Sequence, residues 1–337
     1  MEESSRDWKK LLLSFWRNRI YPFVCPPKHP NIGLILMAAF GLSFVMQMIW
    51  QGLPEDKLFF SKTSLIGYSF VMVFRLLALL LIYVFTVEQF EISEHHTWGR
   101  NPGLGAFFMS FLVGVPCMLI SVSAHNLFIF AELKMENPIP SQLYYYVTTE
   151  SSRYGLILIL LVTVILPALI EELFFRGLVY GLLPEKWYLR IPIPALLSTL
   201  FATNRLEFFT FFAIGLCASF VRYYTDSVLC CSLMRIGMAC ATLFLSELLP
   251  TQDPQTVQNA IDYNRTVLYS SFIALGIGCV MAMVIFGQLF YFHYRQKEED
   301  RVYDSAEGKA LSIPTAAHFR LGFFLGILFL ILCWAFS

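Results

Sequence analysis

Charge is scarce in this chain: only 14% of its 337 residues are Asp, Glu, Lys or Arg, and the 24 bases are cancelled by 24 acids. With no net positive field there is nothing to hold a polyanion, so no nucleic acid is expected as a partner. Cysteine is almost absent from polar sequence. Of eight, only Cys25 lies outside a hydrophobic segment, while Cys117, Cys217, Cys230, Cys231, Cys240, Cys279 and Cys333 all fall within one. That placement argues against a disulfide framework and against a cysteine-rich zinc module. Met1 to Val24 lacks the short apolar core and small-residue cleavage site of a signal peptide, because acids and Lys/Arg recur throughout it. Internal repeats are not evident, and the low-complexity run Tyr144-Tyr145-Tyr146 suits a membrane interface.

What the chain has in abundance is apolar sequence: 57% hydrophobic residues, with mean hydropathy +0.62. Several runs approach or exceed the thickness of a bilayer, at 32–50, 66–87, 105–130, 155–183, 192–204, 208–224, 228–249, 267–294 and 319–336. The expected fold is all-α, a polytopic membrane helix bundle of eight or nine transmembrane helices. The fifth run is short and bracketed by Pro192, Pro194 and Arg205, which suits a tilted or partly re-entrant helix and keeps the count at eight or nine. Residues 1–30 carry Arg6, Lys9, Lys10, Arg17, Arg19 and Lys28 among Trp8, Leu11, Leu12, Phe15 and Trp16, the pattern of an amphipathic helix on a membrane surface. The loop before the last run is basic too, with Arg295, Lys297, Arg301, Lys309 and Arg320, beside the acidic Glu298-Glu299-Asp300. Nine spans put both basic regions on one side, so the N-terminus is expected in the cytoplasm and the C-terminus outside. The chain divides into this N-terminal segment, three membrane helices over 31–150, a core over 151–250 and two last helices over 251–337.

Within the fourth run stands Pro167-Ala-Leu-Ile-Glu171-Glu172-Leu-Phe-Phe-Arg176-Gly177-Leu-Val-Tyr-Gly181. Unneutralised charge in such a run costs several kcal/mol, so three ionisable side chains need a reason. Glu172 and Arg176 are four apart and can pair along one helical face; Glu171 lies about 100° round and needs a partner on another segment. Pro167 removes a backbone hydrogen bond and can kink the helix, and Gly177 and Gly181 form a small-residue face for close approach of a neighbour. Arg75 in the second run is expected to pair with another helix, and Arg222 and Glu247 to snorkel from span ends. Ser198, Thr199, Thr203 and Asn204 suit interhelical hydrogen bonds. His95-His96, with Glu91 and Glu94, reads as a solvated loop, with a surface metal site as the alternative.

At Glu171-Glu172-x-x-x-Arg176-Gly177 the sequence resembles the CPBP family, also called Abi, of intramembrane metalloproteases, which includes the type II CAAX prenyl endopeptidases. Leu-Leu-Ser-Thr-Leu-Phe201-Ala-Thr-Asn204-Arg205-Leu is similar to the family's Phe-x-x-x-His motif. The run from Asp226 through Arg235 to Ala239 is similar to the stretch leading into its His-x-x-x-Asn motif. The resemblance covers residues 150 to 250. It implies that Glu171 and Glu172 are the candidate catalytic base or metal ligand of peptide hydrolysis, with zinc as cofactor if the protease reading holds. Both histidine positions, however, hold arginine, Arg205 and Arg235, and the asparagine position holds Ala239. Guanidinium is a permanent cation with no lone pair for a metal, so no metal or other cofactor is expected, and Arg176, Arg205 and Arg235 are expected to form a polar cluster of buried bridges with the glutamates.

Three functions follow from this pattern. The first is a catalytically degenerate member of the fold, lying in the lipid bilayer and binding a peptide or membrane-protein partner. The second is an active endopeptidase using Glu171 and Glu172 with altered partners. The third, of another class, is a transporter or channel, although paired broken helices in two matching halves are missing. By analogy with compact family members, a bacterial plasma membrane is the expected location.

Overall fold

The computed structural model describes residues 30–53, 65–131, 157–158, 160–201, 208–245, 261–303 and 321–336. The described chain is a bundle of helices: α1 (Ile32–Gly52), α2 (Leu65–Phe90), the short α3 (Glu94–Trp98) and α4 (Leu104–Ala131) come first. Residues 160–182 form a composite helix, α5, in which π-helical Leu160–Ile165 and Leu173–Val179 alternate with α-helical Leu166–Glu172 and Tyr180–Leu182. Then follow α6 (Trp187–Arg190), α7 (Pro192–Phe201), α8 (Phe208–Thr225), α9 (Val228–Leu245), α10 (Ile261–Tyr303) and α11 (Leu321–Phe336). Five stretches are long and apolar enough to cross a membrane: Ile32–Gly52, Ser69–Phe90, Leu104–Leu127, Phe208–Thr225 and Leu268–Tyr294. The protein is a multi-pass membrane protein.

Pro167 explains part of the irregularity of α5. It lies in the first turn of the α-helical segment, directly after a π turn, and it supplies no N–H to the carbonyls of that turn.

Two apolar clusters organise the bundle. One joins α1, α2, α5, α7 and α11 around Leu36, Leu79, Phe174, Phe175, Leu197 and Phe201. The other joins α4, α8, α9 and α10 around Val113, Cys117, Ala218, Val221, Cys231 and Met234. The middle of α5 packs on both α2 and α9 and so lies where the clusters meet. Helix crossings use glycine. A Cβ on Gly114 of α4 would collide with the backbone at Gly237 and Met238 of α9, and one on Gly326 of α11 with Gly33 of α1. Small residues let backbones approach in lipid, where dispersion replaces hydrophobic burial as the force between helices.

The sequence reading of Gly177 and Gly181 as a contact face is correct, but the neighbour is unexpected. They lie beneath the backbone carbonyls of Thr97 and His96 in α3. His95-His96 therefore belongs to a short helix docked on α5, not to a loop. Its end is fixed by the hydrogen bond from Tyr83 OH to Thr97 Oγ1, 3.1 Å, and by an isolated β-bridge between Gly99 and Ser227. Gly99 needs its lack of a side chain there: its φ is +76°, and a Cβ would strike Asp226.

These contacts also fix the direction of the chain. Gly181 of α5 meets His96, and the Arg100 amide donates to the Asp226 carbonyl just past α8, 2.7 Å, so α5 and α8 finish at the same end of the bundle. α8 starts at the other end, where Thr210 Oγ1 donates to Ser121 O, 3.4 Å, far along α4. The chain therefore returns from one end of the bundle to the other between α5 and α8, and α7 is the described part of that return. One expected boundary shifts: α10 continues as helix through Tyr303, so the acidic Glu298-Glu299-Asp300 stretch is helical and not a loop, while the expected end of the fifth run at 204 lies outside the described residues. The amphipathic reading of residues 1–29, the Tyr144-Tyr145-Tyr146 interface and Glu247 lie outside the described residues.

Gly237→Leu and Gly114→Leu should each lower the unfolding midpoint in detergent by an amount equivalent to about 3 kcal/mol or more, because backbone stands where the side chain must go. Gly41→Ala, with open space around it, should leave the midpoint unchanged or raise it slightly.

Candidate functional site

The site is a cluster of carboxylates and guanidinium groups where the two apolar clusters meet. Glu171 and Glu172 sit at the end of the α-helical middle of α5, and Arg176 follows within the second π turn. Glu172 and Arg176 pair as their spacing requires, with Arg176 Nε 3.3 Å from Glu172 Oε2 and Nη1 donating to Oε1 at 3.4 Å. Both are buried. Arg176 Nη2 reaches across the bundle and donates to Ser198 Oγ on α7, 3.1 Å, and to the Gly215 carbonyl on α8, 2.9 Å. Gly215 eases that approach, since a Cβ would stand 3.1 Å from Nη2 and 3.0 Å from the Ala195 Cα, so its neighbours would have to shift.

Glu171 finds partners on two other helices, as its position on the helical wheel demanded. Arg235 of α9 donates from Nη1 to Glu171 Oε2 at 2.7 Å, and the same nitrogen lies 3.2 Å from Glu172 Oε1. Arg75 of α2 approaches Glu171 Oε1 from the opposite side, Nη2 to Oε1 3.5 Å. Its guanidinium also lies over the Phe201 ring, 3.9 Å from the centroid, so the last residue of α7 caps the cluster by a cation–π contact. Among the described residues three arginines thus face two glutamates. Charges in such surroundings are tolerable only when paired with good geometry and further hydrogen bonds; Arg176 has such bonds through Nη1 and Nη2, while its Nε and Glu172 Oε2 face each other as an ion pair without a hydrogen bond.

Of the residues singled out in the sequence, Glu171, Glu172, Arg176 and Arg235 are brought together. Arg205, Thr203 and Asn204 lie outside the described residues. Ser198 makes the expected interhelical hydrogen bond, whereas Thr199 Oγ1 turns back to its own helix at the Ala195 carbonyl, 2.8 Å.

Arg222 is the residue that sequence reasoning undervalued. It does not snorkel to a surface: it is buried, its Nε donates to the Arg176 carbonyl at 3.0 Å, and its Nη1 pairs with Asp226 Oδ1 at 2.6 Å. Asp226 is also 3.8 Å from Arg100 Nε, and the Tyr180 ring lies 5.2 Å from the guanidinium carbons of both Arg190 and Arg222. The carbonyl that Arg222 reaches belongs to the π-helical segment Leu173–Val179. The signal available in the sequence was the Arg222/Asp226 spacing of four.

The donor set does not suit a divalent metal. The carboxylate oxygens of Glu171 and Glu172 point at guanidinium groups, and no group of three or more His, Cys, Asp or Glu side chains that could hold a metal occurs among the described residues. A zinc site needs about four neutral or anionic donors, and a cation beside them opposes binding. His95 and His96 form no such group either, so the alternative of a surface metal site there gains no support from the described residues.

Residues 153–241 match the family model described as Type II CAAX prenyl endopeptidase Rce1-like. The matched stretch holds Glu171, Glu172, Arg176, Ser198, Arg222 and Arg235, and leaves out α1 to α4 and the last two helices. No curated protein and no solved structure matches the chain.

Arg235→Ala should cost about 3 kcal/mol or more in folded stability, because it leaves the buried Glu172 with Arg176 alone and strips Glu171 of its shortest contact. Chemical unfolding in detergent checks this, and the double variant Arg235→Leu, Glu171→Gln should recover part of the loss, since it removes the carboxylate stranded by the loss of Arg235 and leaves Glu172 balanced by Arg176.

Proposed function

We propose that the protein is a non-hydrolytic relative of the CAAX-type endopeptidases, embedded in a membrane and using the helix cluster around α5 to bind a peptide or a membrane-protein partner. One observation carries this reading: the Arg235 guanidinium occupies both carboxylates, at 2.7 Å and 3.2 Å. A carboxylate serving as general base must reach a water or a proton with a free oxygen, and one serving as metal ligand must offer a lone pair. Arg235 takes up that capacity on Glu171 Oε2 and Glu172 Oε1, Arg75 approaches Glu171 Oε1, and Arg176 stands against Glu172 Oε2. Arginine does not deprotonate near neutral pH, so it cannot stand in for the imidazoles of an acid–base pair. The arrangement instead gives a rigid polar floor spanning α2, α5, α7, α8 and α9.

Purified full-length protein loaded with zinc and then desalted is expected to retain no stoichiometric metal, and to behave like its Glu171→Ala and Glu172→Ala variants in this respect. It should also leave a quenched prenylated peptide substrate uncleaved. Retention of about one zinc per chain, lost in both variants, together with cleavage of the peptide, would overturn the reading in favour of an active endopeptidase.

A further inference from the structure

Sulfur is segregated in this bundle. Among the described residues the first apolar cluster is built from aliphatic and aromatic side chains alone, whereas Cys117, Cys217, Cys230, Cys231 and Met234 are all buried members of the second, with Met238 packed against it. A buried cysteine is ordinarily a small hydrophobe and methionine an adaptable filler, so abundance alone assigns no role. What separates these sulfurs is the partner each thiol takes.

Cys230 and Cys231 are spent on oxygen. The Cys231 thiol donates to the Ala218 and Ser227 carbonyls, 3.3 Å and 3.4 Å, and Cys230 bonds with the hydroxyl side chains of Ser110, Thr225 and Ser227. Cys117 turns instead to other sulfur atoms. Its thiol lies 3.9 Å from Met238 Sδ on α9 and hydrogen-bonds with the thiol of Cys217 on α8, so three helices bring two thiols and a thioether to one place. The helix crossing makes this possible. A Cβ on Gly114 would strike the Met238 backbone, and Cys117 follows about one turn further along α4. Thr210, bonded to the Ser121 carbonyl, holds α8 against the same part of α4.

A metal ion about 2.3 Å from each of three sulfurs in one plane sets those sulfurs about 4 Å apart. The Cys117 and Met238 sulfurs stand at that separation, 3.9 Å. Two thiols and a thioether are a soft donor set, which selects a thiophilic monovalent ion such as Cu(I); zinc would lack its fourth donor. Of the charges acting on Cys117, Arg235, three residues before Met238, outweighs Glu172 and partly offsets the charge that thiolate ligands would add.

We propose that Cys117, Cys217 and Met238 form a binding site for one Cu(I) ion, within the second apolar cluster and separate from the carboxylates. Binding exchanges thiol protons for the metal, with no change in oxidation state. Cys117 lies on α4, outside the residues 153–241 that match the family model, so the ion clamps the earlier helices to that core.

The test uses the full chain in detergent under anaerobic, reducing conditions, with Cys25, Cys240, Cys279 and Cys333 replaced by alanine so that only Cys117, Cys217, Cys230 and Cys231 remain. It is loaded with Cu(I) and challenged with the Cu(I) chelator bathocuproine disulfonate. About one copper per chain should survive, with a first shell of sulfur alone at about 2.3 Å by X-ray absorption. Met238→Leu should weaken retention about tenfold and Cys217→Ala by more than about a hundredfold, while Cys231→Ala should leave it unchanged. Loss of all copper from the parent chain, nitrogen or oxygen in its first shell, or unchanged retention in Cys217→Ala would each overturn the site. The absorption measurement is made on the parent, so it decides the matter even where a cysteine variant fails to fold. The ligands are sulfur, so zinc held by Glu171 and Glu172 with cleavage of the peptide would overturn the non-hydrolytic reading and leave this site standing.

Discussion

The bundle depends on a single nitrogen shared between two acids. Arg235 Nη1 lies within hydrogen-bonding reach of both Glu171 and Glu172 and thereby joins α9 to α5. Because the contact is buried on one side, neither acid can lose it without being left as a charge in apolar surroundings, and the penalty for that loss exceeds the net value of the pair. The two large apolar clusters would otherwise meet only through non-directional packing, which tolerates rotation and sliding of helices. A charged network does not, because each partner must arrive at its own angle and depth. We take this to be the reason that α2, α7, α8 and α9 all send a group to the same point on α5.

From that point the network extends in one direction. Arg176 carries it to the Ser198 hydroxyl and the Gly215 carbonyl, Arg222 reaches back to the Arg176 carbonyl, and Asp226 passes it to Arg100 beside α3. The chain of contacts is built largely from arginine, which cannot lose its proton, so it does not make a proton relay. Its use is mechanical. It ties the polar floor in the membrane interior to the Gly99–Ser227 bridge at the bundle end.

Much of this was legible in the residues. Apolar run length identified the membrane helices, and the helical wheel assigned Arg176 to Glu172 and sent Glu171 to seek a partner elsewhere. The resemblance placed Arg235 where that family's motif has a histidine, and a guanidinium at that position was expected to pair with the glutamates. What the sequence hid was set by distance across the bundle. Arg75 reads as a lone charge in its run and gives no hint that Phe201 will lie beneath it, because the two are brought together only by the placement of α2 against α7. Arg222 sits near the end of an apolar run, where snorkelling is the ordinary outcome, and nothing in the run announces that the Arg176 carbonyl will lie within its reach. The docking of α3 was half visible, in that two glycines promised a close neighbour without identifying it.

The π turns of α5 have a consequence for how this helix can change length. Each holds one residue more than an α turn would, and together they bracket the segment Leu166–Glu172. Loss of a single residue from either turn would restore the regular ladder locally, at little cost to helicity. It would also swing everything beyond it by about 100°. Loss before Pro167 would turn both glutamates away from Arg75 and Arg235, whereas loss after Glu172 would keep the acids in place and turn Gly177 and Gly181 out from under α3. The two bulges are thus separate phase setters on one rod, one aiming the acids and the other aiming the seal, and a deletion that looks silent in an alignment of apolar residues would disconnect one from the other.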